Sequence, residues 1–133
     1  MIDIIIITHG NLAEALNNSV ENILDISKKV IPVCLEFDLD HKACTEKIKS
    51  VLSDLGETNK KIILTDLFGG TPSNITIPFI KEGNTEVITG VNLPMLLFLL
   101  SQKKKKSFEE LCNGAKKAGK DAIFIAGKLI GKE

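Results

Sequence analysis

The chain has 133 residues, enough for one domain with a substantial core and too few for two. Its 17 basic residues balance its 17 acidic ones, so no global field draws it toward nucleic acid or anionic lipid. The three cysteines, Cys34, Cys44 and Cys112, are widely spaced and form no Cys-x-x-Cys pair, which argues against a disulfide framework or a zinc site and suits a reducing cytosol.

The chain opens on Ile2-Asp3-Ile4-Ile5-Ile6-Ile7-Thr8, a strand whose unbroken apolar interior fits a parallel sheet covered on both faces. This start has no basic n-region and no small-residue cleavage site, so it does not read as a signal peptide. His9-Gly10 follows the strand directly. Asn11 to about Ile26 has apolar residues at helical spacing, with Asn11 placed to cap it. Val30 to Phe37 reads as a second strand, and Pro32 confines it to an edge or an early strand position. A helix is expected from Asp40 to Leu55, ending at Gly56.

Lys61 to Thr65 is the third strand; it runs into Asp66-Leu67-Phe68-Gly69-Gly70-Thr71-Pro72-Ser73-Asn74 and a short helix near Ser73 to Lys81. Glu86 to Gly90 is a brief fourth strand. Val91-Asn92-Leu93-Pro94 opens an apolar helix reaching Gln102, and its apolar core, Leu93 to Leu100, falls well short of the ~20 residues a bilayer span needs. Direct membrane insertion is therefore not expected. The lysine run Lys103 to Lys106 predicts an exposed, solvated segment, or alternatively a basic patch for an acidic partner. Ser107 to Ala118 is a helix that starts on a capping box, Ser107 with Glu110. Asp121 to Ala126 reads as a fifth and final strand. Together these elements predict an α/β domain over residues 1–133: a doubly wound, mostly parallel five-stranded sheet with helices on both faces.

In such a sheet the carboxyl ends of the central strands share one crevice. His9 lies just past the first strand and Asp66 just past the third, so both should face it. A lone histidine near a core strand is usually structural, and an aspartate before glycines is usually a turn or cap residue. As a pair they mean more: a carboxylate on one ring nitrogen fixes the tautomer, frees the other nitrogen as a nucleophile and supports the charge that develops on the ring. Gly69 and Gly70 can turn amides toward an anion, with hydroxyls on Thr71 and Ser73, though a Gly-Gly pair is also an ordinary tight turn. The loop has neither the P-loop spacing and lysine nor a Gly-x-Gly-x-x-Gly, so it is no nucleotide motif.

These elements occur in the order found in a known family. With Thr8-His9-Gly10, Leu12-Ala13, Thr65 to Asn74 and Thr89-Gly90-Val91-Asn92-Leu93-Pro94-Met95-Leu96, the chain resembles over nearly its whole length the enzyme IIA component of the mannose, fructose and sorbose class of the bacterial phosphoenolpyruvate-dependent sugar phosphotransferase system (PTS). The resemblance implies that His9 is transiently phosphorylated on Nε2, that Asp66 bonds the other ring nitrogen, and that Leu67, Phe68, Gly69, Gly70 and Thr71 surround the phosphoryl group. It places Gly10, Ser73 and Asn92 near that site without assigning them a step. It further implies a cytoplasmic phosphotransferase, and no cofactor or metal is expected. The phosphate would come from the histidine phosphocarrier protein HPr and go to a histidine of a separate IIB chain, serving the membrane components IIC and IID indirectly. A homodimer is also implied, its last strand antiparallel and exchanged across the interface. The Phe68-Gly69-Gly70-Thr71-Pro72 segment favours the sugar-transport branch over the IIA-like subunit of dihydroxyacetone kinase systems.

Two other classes use the same residues. A receiver-like signalling domain would be phosphorylated on Asp66, but it needs an acidic pair after strand one, where this chain has Thr8-His9-Gly10. A metal-binding or hydrolytic module would recruit His9, Asp66 and His41, yet His41 opens a helix in a polar stretch with no indicated convergence. The resemblance further implies that the choice of sugar rests with the membrane components.

Overall fold

The computed structural model describes residues 2–27 and 29–132; Met1, Lys28 and Glu133 lie outside them. Eleven elements follow in chain order: β1 (Ile2–His9), α1 (Leu12–Leu24), β2 (Ile31–Leu35), α2 (His41–Leu55), β3 (Lys60–Thr65), α3 (Thr71–Thr76), a 3-10 turn (Ile77–Phe79), β4 (Thr85–Thr89), α4 (Leu93–Gln102), α5 (Phe108–Asp121) and α6 (Ala126–Leu129). The strands form one parallel sheet in the order β2-β1-β3-β4. Pro32 accordingly sits in an edge strand, where its missing N–H breaks no central ladder.

The isoleucine run explains the layering. Strand side chains alternate between faces, so Ile4 and Ile6 join Ile62 and Leu64 against α1, α4 and α5, while Ile5 and Ile7 join Ile63 against α2 and α3. Each of these side chains is almost fully buried and contributes about 1.5–3 kcal/mol by leaving water. Both faces being covered, the strand needs no polar alternation, as the apolar run predicts.

Helix starts follow local chemistry. Asp40 caps α2 through the Ala43 amide, and the capping box at α5 is complete, with Ser107 and Glu110 each bonding the other's main-chain N–H. At α1 the expectation is corrected: Asn11 holds the cap position but makes no side-chain bond, and the buried Thr8 hydroxyl accepts from the Ala13 amide at 2.7 Å instead.

The larger correction concerns the C-terminus. The sheet has four strands, not five. α5 continues to Asp121, Ile123, Phe124 and Ile125 belong to no regular element, and α6 begins at Ala126. These three apolar residues are exposed, as are Leu129 and Ile130 beyond them. Their composition favours a strand, but a strand forms only by pairing with an edge, and among the described residues this segment pairs with none.

Candidate functional site

The parallel register brings the two central strand ends together. Ile7 pairs with Thr65, so His9 lies two residues past that pair on β1, and Asp66 one residue past it on β3. The Asp66 carboxylate uses one oxygen, Oδ2, for two bonds: the His9 main-chain N–H donates to it at 3.0 Å and the His9 ring Nδ1 lies 2.9 Å from it. An ionised carboxylate only accepts, so Nδ1 carries the proton and Nε2 keeps its lone pair. The main-chain bond holds the acceptor in place for the ring bond. Asp66 is not the cap of α3, a position held by Gly70. Its other oxygen, Oδ1, is buried with no partner among the described residues.

The His9 side chain is 31% exposed and that of Asp66 15%, so the pair is largely withdrawn from water while one edge of the ring remains reachable. Two glycines set how closely the surroundings approach. A Cβ on Gly70 would lie 2.6 Å from His9 Cε1 and 3.3 Å from Nε2, which only a glycine backbone avoids. Gly10 takes φ +57, bonds its N–H to the Leu35 carbonyl at 2.9 Å, and leaves room for the Phe37 ring, 2.9 Å from where a Cβ would be. Phe37 stacks on His9 with ring centroids 6.2 Å apart and planes 18° apart. In the sequence Phe37 is marked only as the end of a strand. The structure ends β2 at Leu35, which pairs with His9, and Phe37 lies in the turn just beyond, so its nearness to His9 follows from a register the sequence does not state.

The loop after β3 carries the remaining candidates. Gly69 takes φ +87, and its N–H donates to the buried Ser73 hydroxyl, which in turn donates to the Gly70 carbonyl. Ser73 thus staples the loop from behind, fixing the backbone that faces His9. Leu67 and Phe68 point outward, Phe68 at 74% exposure, and Thr71 begins α3 half-buried. Asn92 is occupied elsewhere: its Oδ1 caps α4 through the Met95 amide at 3.1 Å, and its Nδ2 donates to the Gly119 carbonyl at 3.0 Å, tying α4 to the end of α5. Replacing Asn92 with alanine should lower stability by about 1–2 kcal/mol. Urea denaturation measures this, and the His9 imidazole NMR signals should stay where they are in the parent protein; a displaced His9 signal would place Asn92 in the site.

Other nucleophiles are less suited to this chemistry. Burial, with a lesser contribution from Glu86, pushes the Cys112 thiol up to about 11, and burial followed by Asp40 raises Cys44, so both remain protonated at neutral pH. His41 is exposed at the start of α2. Among the described residues no three His, Cys, Asp or Glu side chains are grouped to hold a metal ion. The arrangement is an oriented imidazole with one free nitrogen, beside a loop whose backbone can come close to whatever that nitrogen carries.

Known proteins share this arrangement's frame. A family model described as the PTS system fructose IIA component matches residues 3–116. The PTS system fructose-specific EIIA component of Bacillus subtilis (strain 168) is 31% identical over 133 residues, 99% of this chain and 91% of that protein. The PTS system mannose-specific EIIAB component of Escherichia coli (strain K12) is 32% identical over 124 residues, 92% of this chain and 38% of that longer protein. Among solved structures, a PTS permease of Klebsiella pneumoniae superposes with a TM-score of 0.85 at 25% identity, covering 97% of this chain and 93% of the other.

Proposed function

The chain belongs to the family of EIIA components of the mannose and fructose class of the PTS, and from that membership we propose that it is a phosphocarrier whose acceptor is Nε2 of His9. The single observation that carries this reading is the Asp66 carboxylate on Nδ1, which leaves the opposite nitrogen as the free nucleophile. In the proposed step the Nε2 lone pair attacks the phosphorus of phospho-HPr, an N–P bond forms, and the N–P bond to the donor histidine breaks. Nδ1 keeps its proton, and the positive charge gained by the ring is balanced by Asp66 and by the phosphoryl oxygens. Transfer to a IIB histidine repeats the exchange in the other direction. Each step trades one N–P bond for another, so the relay runs close to balance and catalysis consists of positioning and charge stabilisation.

The chain contains no arginine, and the oxygens would be held by the loop from Leu67 to Thr71: main-chain amides together with the Thr71 hydroxyl. The exposed side chains of Phe37, which stacks on His9, and of Leu67 and Phe68, on the loop that follows Asp66, suit an apolar docking rim for HPr and IIB. Among the described residues no helix is long and apolar enough to cross a membrane; the proposed setting is the cytoplasm, with IIC and IID reached through IIB. The test is incubation with phosphoenolpyruvate, enzyme I and HPr followed by intact mass measurement. One added phosphate, stable in base and lost in acid, is expected. A phosphate stable in acid but lost to hydroxylamine would place it on Asp66 and favour the receiver reading.

A homodimer completes the proposal. The apolar segment Ile123 to Ile125 pairs with no strand among the described residues, while β4 is an edge strand whose outer side is open apart from a bridge between Thr85 and Lys81. Exchange of this segment onto a partner's sheet would satisfy both. Light scattering should give a dimer for the full chain, and truncation before Asp121 should give an aggregation-prone product. A well-behaved full-length monomer at micromolar concentration would count against exchange.

A further inference from the structure

At the other end of the sheet from His9 lies a second cleft, of about 770 Å³. Ile2 and Lys60, which pair at the start of β1 and β3, both line it, so it opens at the amino ends of the strands. Ile2 lies seven positions before His9 on β1, about 23 Å at ~3.3 Å per residue.

Its lining is strongly one-signed. Lys29, Lys60, Lys103, Lys104 and Lys106 surround it, against the single carboxylate of Asp3, in a chain whose formal net charge is zero. None of these lysines has a carboxylate within ion-pair distance among the described residues; the lysine ion pairs found are Lys47 with Glu36 and Lys117 with Asp121. Lys103 is half-buried, its ammonium 3.4 Å from the Ile2 carbonyl, and burial, followed by the nearby charge of Lys29, holds its pKa below the usual lysine value. Like charges gathered without counter-charges repel one another, and an anion bound between them removes that cost. The wall is not only cationic. Phe108 contributes an aromatic ring, with the Lys60 ammonium 5.5 Å from its centroid, and Ile2, Ile4 and Ile31 add apolar surface.

We propose that this cleft binds a nucleoside di- or triphosphate, the lysines holding the phosphates and Phe108 the flat base. The volume falls within the roughly 300–1,000 Å³ typical of small-molecule sites, and the concavity suits a compact ligand better than a protein surface. Lysines bind phosphate as point charges, and several of them in one cleft match the closely spaced charges of a polyphosphate. In the proposed complex the base takes the place of the exposed Lys60 ammonium over the Phe108 face, and Lys60 turns to the phosphates. The lysines come from three parts of the chain: the segment before β2, the start of β3, and the link from α4 to α5. No motif spacing could announce such a site.

Isothermal titration calorimetry with ATP at low ionic strength tests the proposal. The parent should bind one ATP saturably with Kd below about 1 mM. A Lys60→Ala/Lys104→Ala/Lys106→Ala protein, in which all three lysines are exposed, should bind at least about tenfold more weakly at an unchanged melting temperature. Lys116→Ala/Lys117→Ala/Lys120→Ala removes the same charge from elsewhere on α5 and should bind as the parent does. His9→Ala should also bind ATP normally, which separates this site from the proposed phosphoryl site. Absence of saturable binding, equal losses in the two triple variants, or loss of binding in His9→Ala would overturn the site. Tripolyphosphate binding as tightly as ATP would overturn the assignment to a nucleotide.

Discussion

His9→Ala should carry no phosphate after incubation with phosphoenolpyruvate, enzyme I and HPr, whereas His41→Ala should gain one phosphate at the parent rate. The contrast rests on surroundings rather than residue type. His9 has its Nδ1 held by Asp66, a loop approaching its Nε2 side and a stacked Phe37, while His41 is exposed at the first position of α2. Alanine at position 9 removes the only imidazole so arranged and leaves β1 otherwise intact, and a thermal melt confirms the fold. Intact mass measurement reads the outcome. Persistent phosphate on His9→Ala would sink the assignment, and loss in His41→Ala would divide the role between two residues.

Asp66→Asn should be folded and phosphorylated, but about 10–100-fold more slowly than the parent. The Oδ2 position accepts two donors, the His9 main-chain N–H and the ring Nδ1–H, so an asparagine is expected to place its carbonyl oxygen there and preserve the tautomer. Two losses remain. The negative charge that supports the developing imidazolium is gone, and a charge-assisted hydrogen bond becomes a neutral one, together worth about 1.5–3 kcal/mol in the transition state. The amide nitrogen then takes the buried Oδ1 position, which has no partner among the described residues, so some stability is lost as well. In a serine protease triad the same aspartate to asparagine change costs ~10⁴ in rate through the wrong tautomer; here the second bond to Oδ2 guards against that, and a loose phosphoryl transition state demands less of the nucleophile. Rapid-quench transfer from phospho-HPr measures the ratio. Equal rates in two equally folded proteins would reduce Asp66 to a structural residue.

Much of this arrangement was legible in the residues themselves. The run Ile4 to Ile7 called for a two-sided parallel sheet, and Ser107 with Glu110 marked the start of α5. Both signals are local, because burial on two faces and a capping box are each written into consecutive residues. The meeting of His9 and Asp66 needed one further step, that strands one and three be neighbours, and the order β2-β1-β3-β4 supplies it. What depends on side-chain packing was not legible. Thr8 displaces Asn11 as the cap of α1 because the turn at Gly10 brings its hydroxyl to the Ala13 amide. Phe37 covers His9 because Gly10 has no side chain to prevent it. The final strand shows a different limit: β-branched and aromatic residues from Ile123 to Ile125 express a preference for pairing but cannot specify which sheet edge accepts them.

The enclosure of the His9 ring also constrains traffic through the proposed relay. Phe37 stacks on the ring, Asp66 occupies Nδ1 and Gly70 lies against Cε1, so the proposed donor and acceptor share the one free ring nitrogen, Nε2. In the proposed relay donor and acceptor therefore visit that nitrogen in turn. The relay is single-file: the charged intermediate waits alone between two visits, and a discharged donor that lingers blocks its own product from leaving. Under that proposal weak, fast-exchanging docking is a requirement of throughput, and a few exposed apolar side chains suit it better than a large, tight interface.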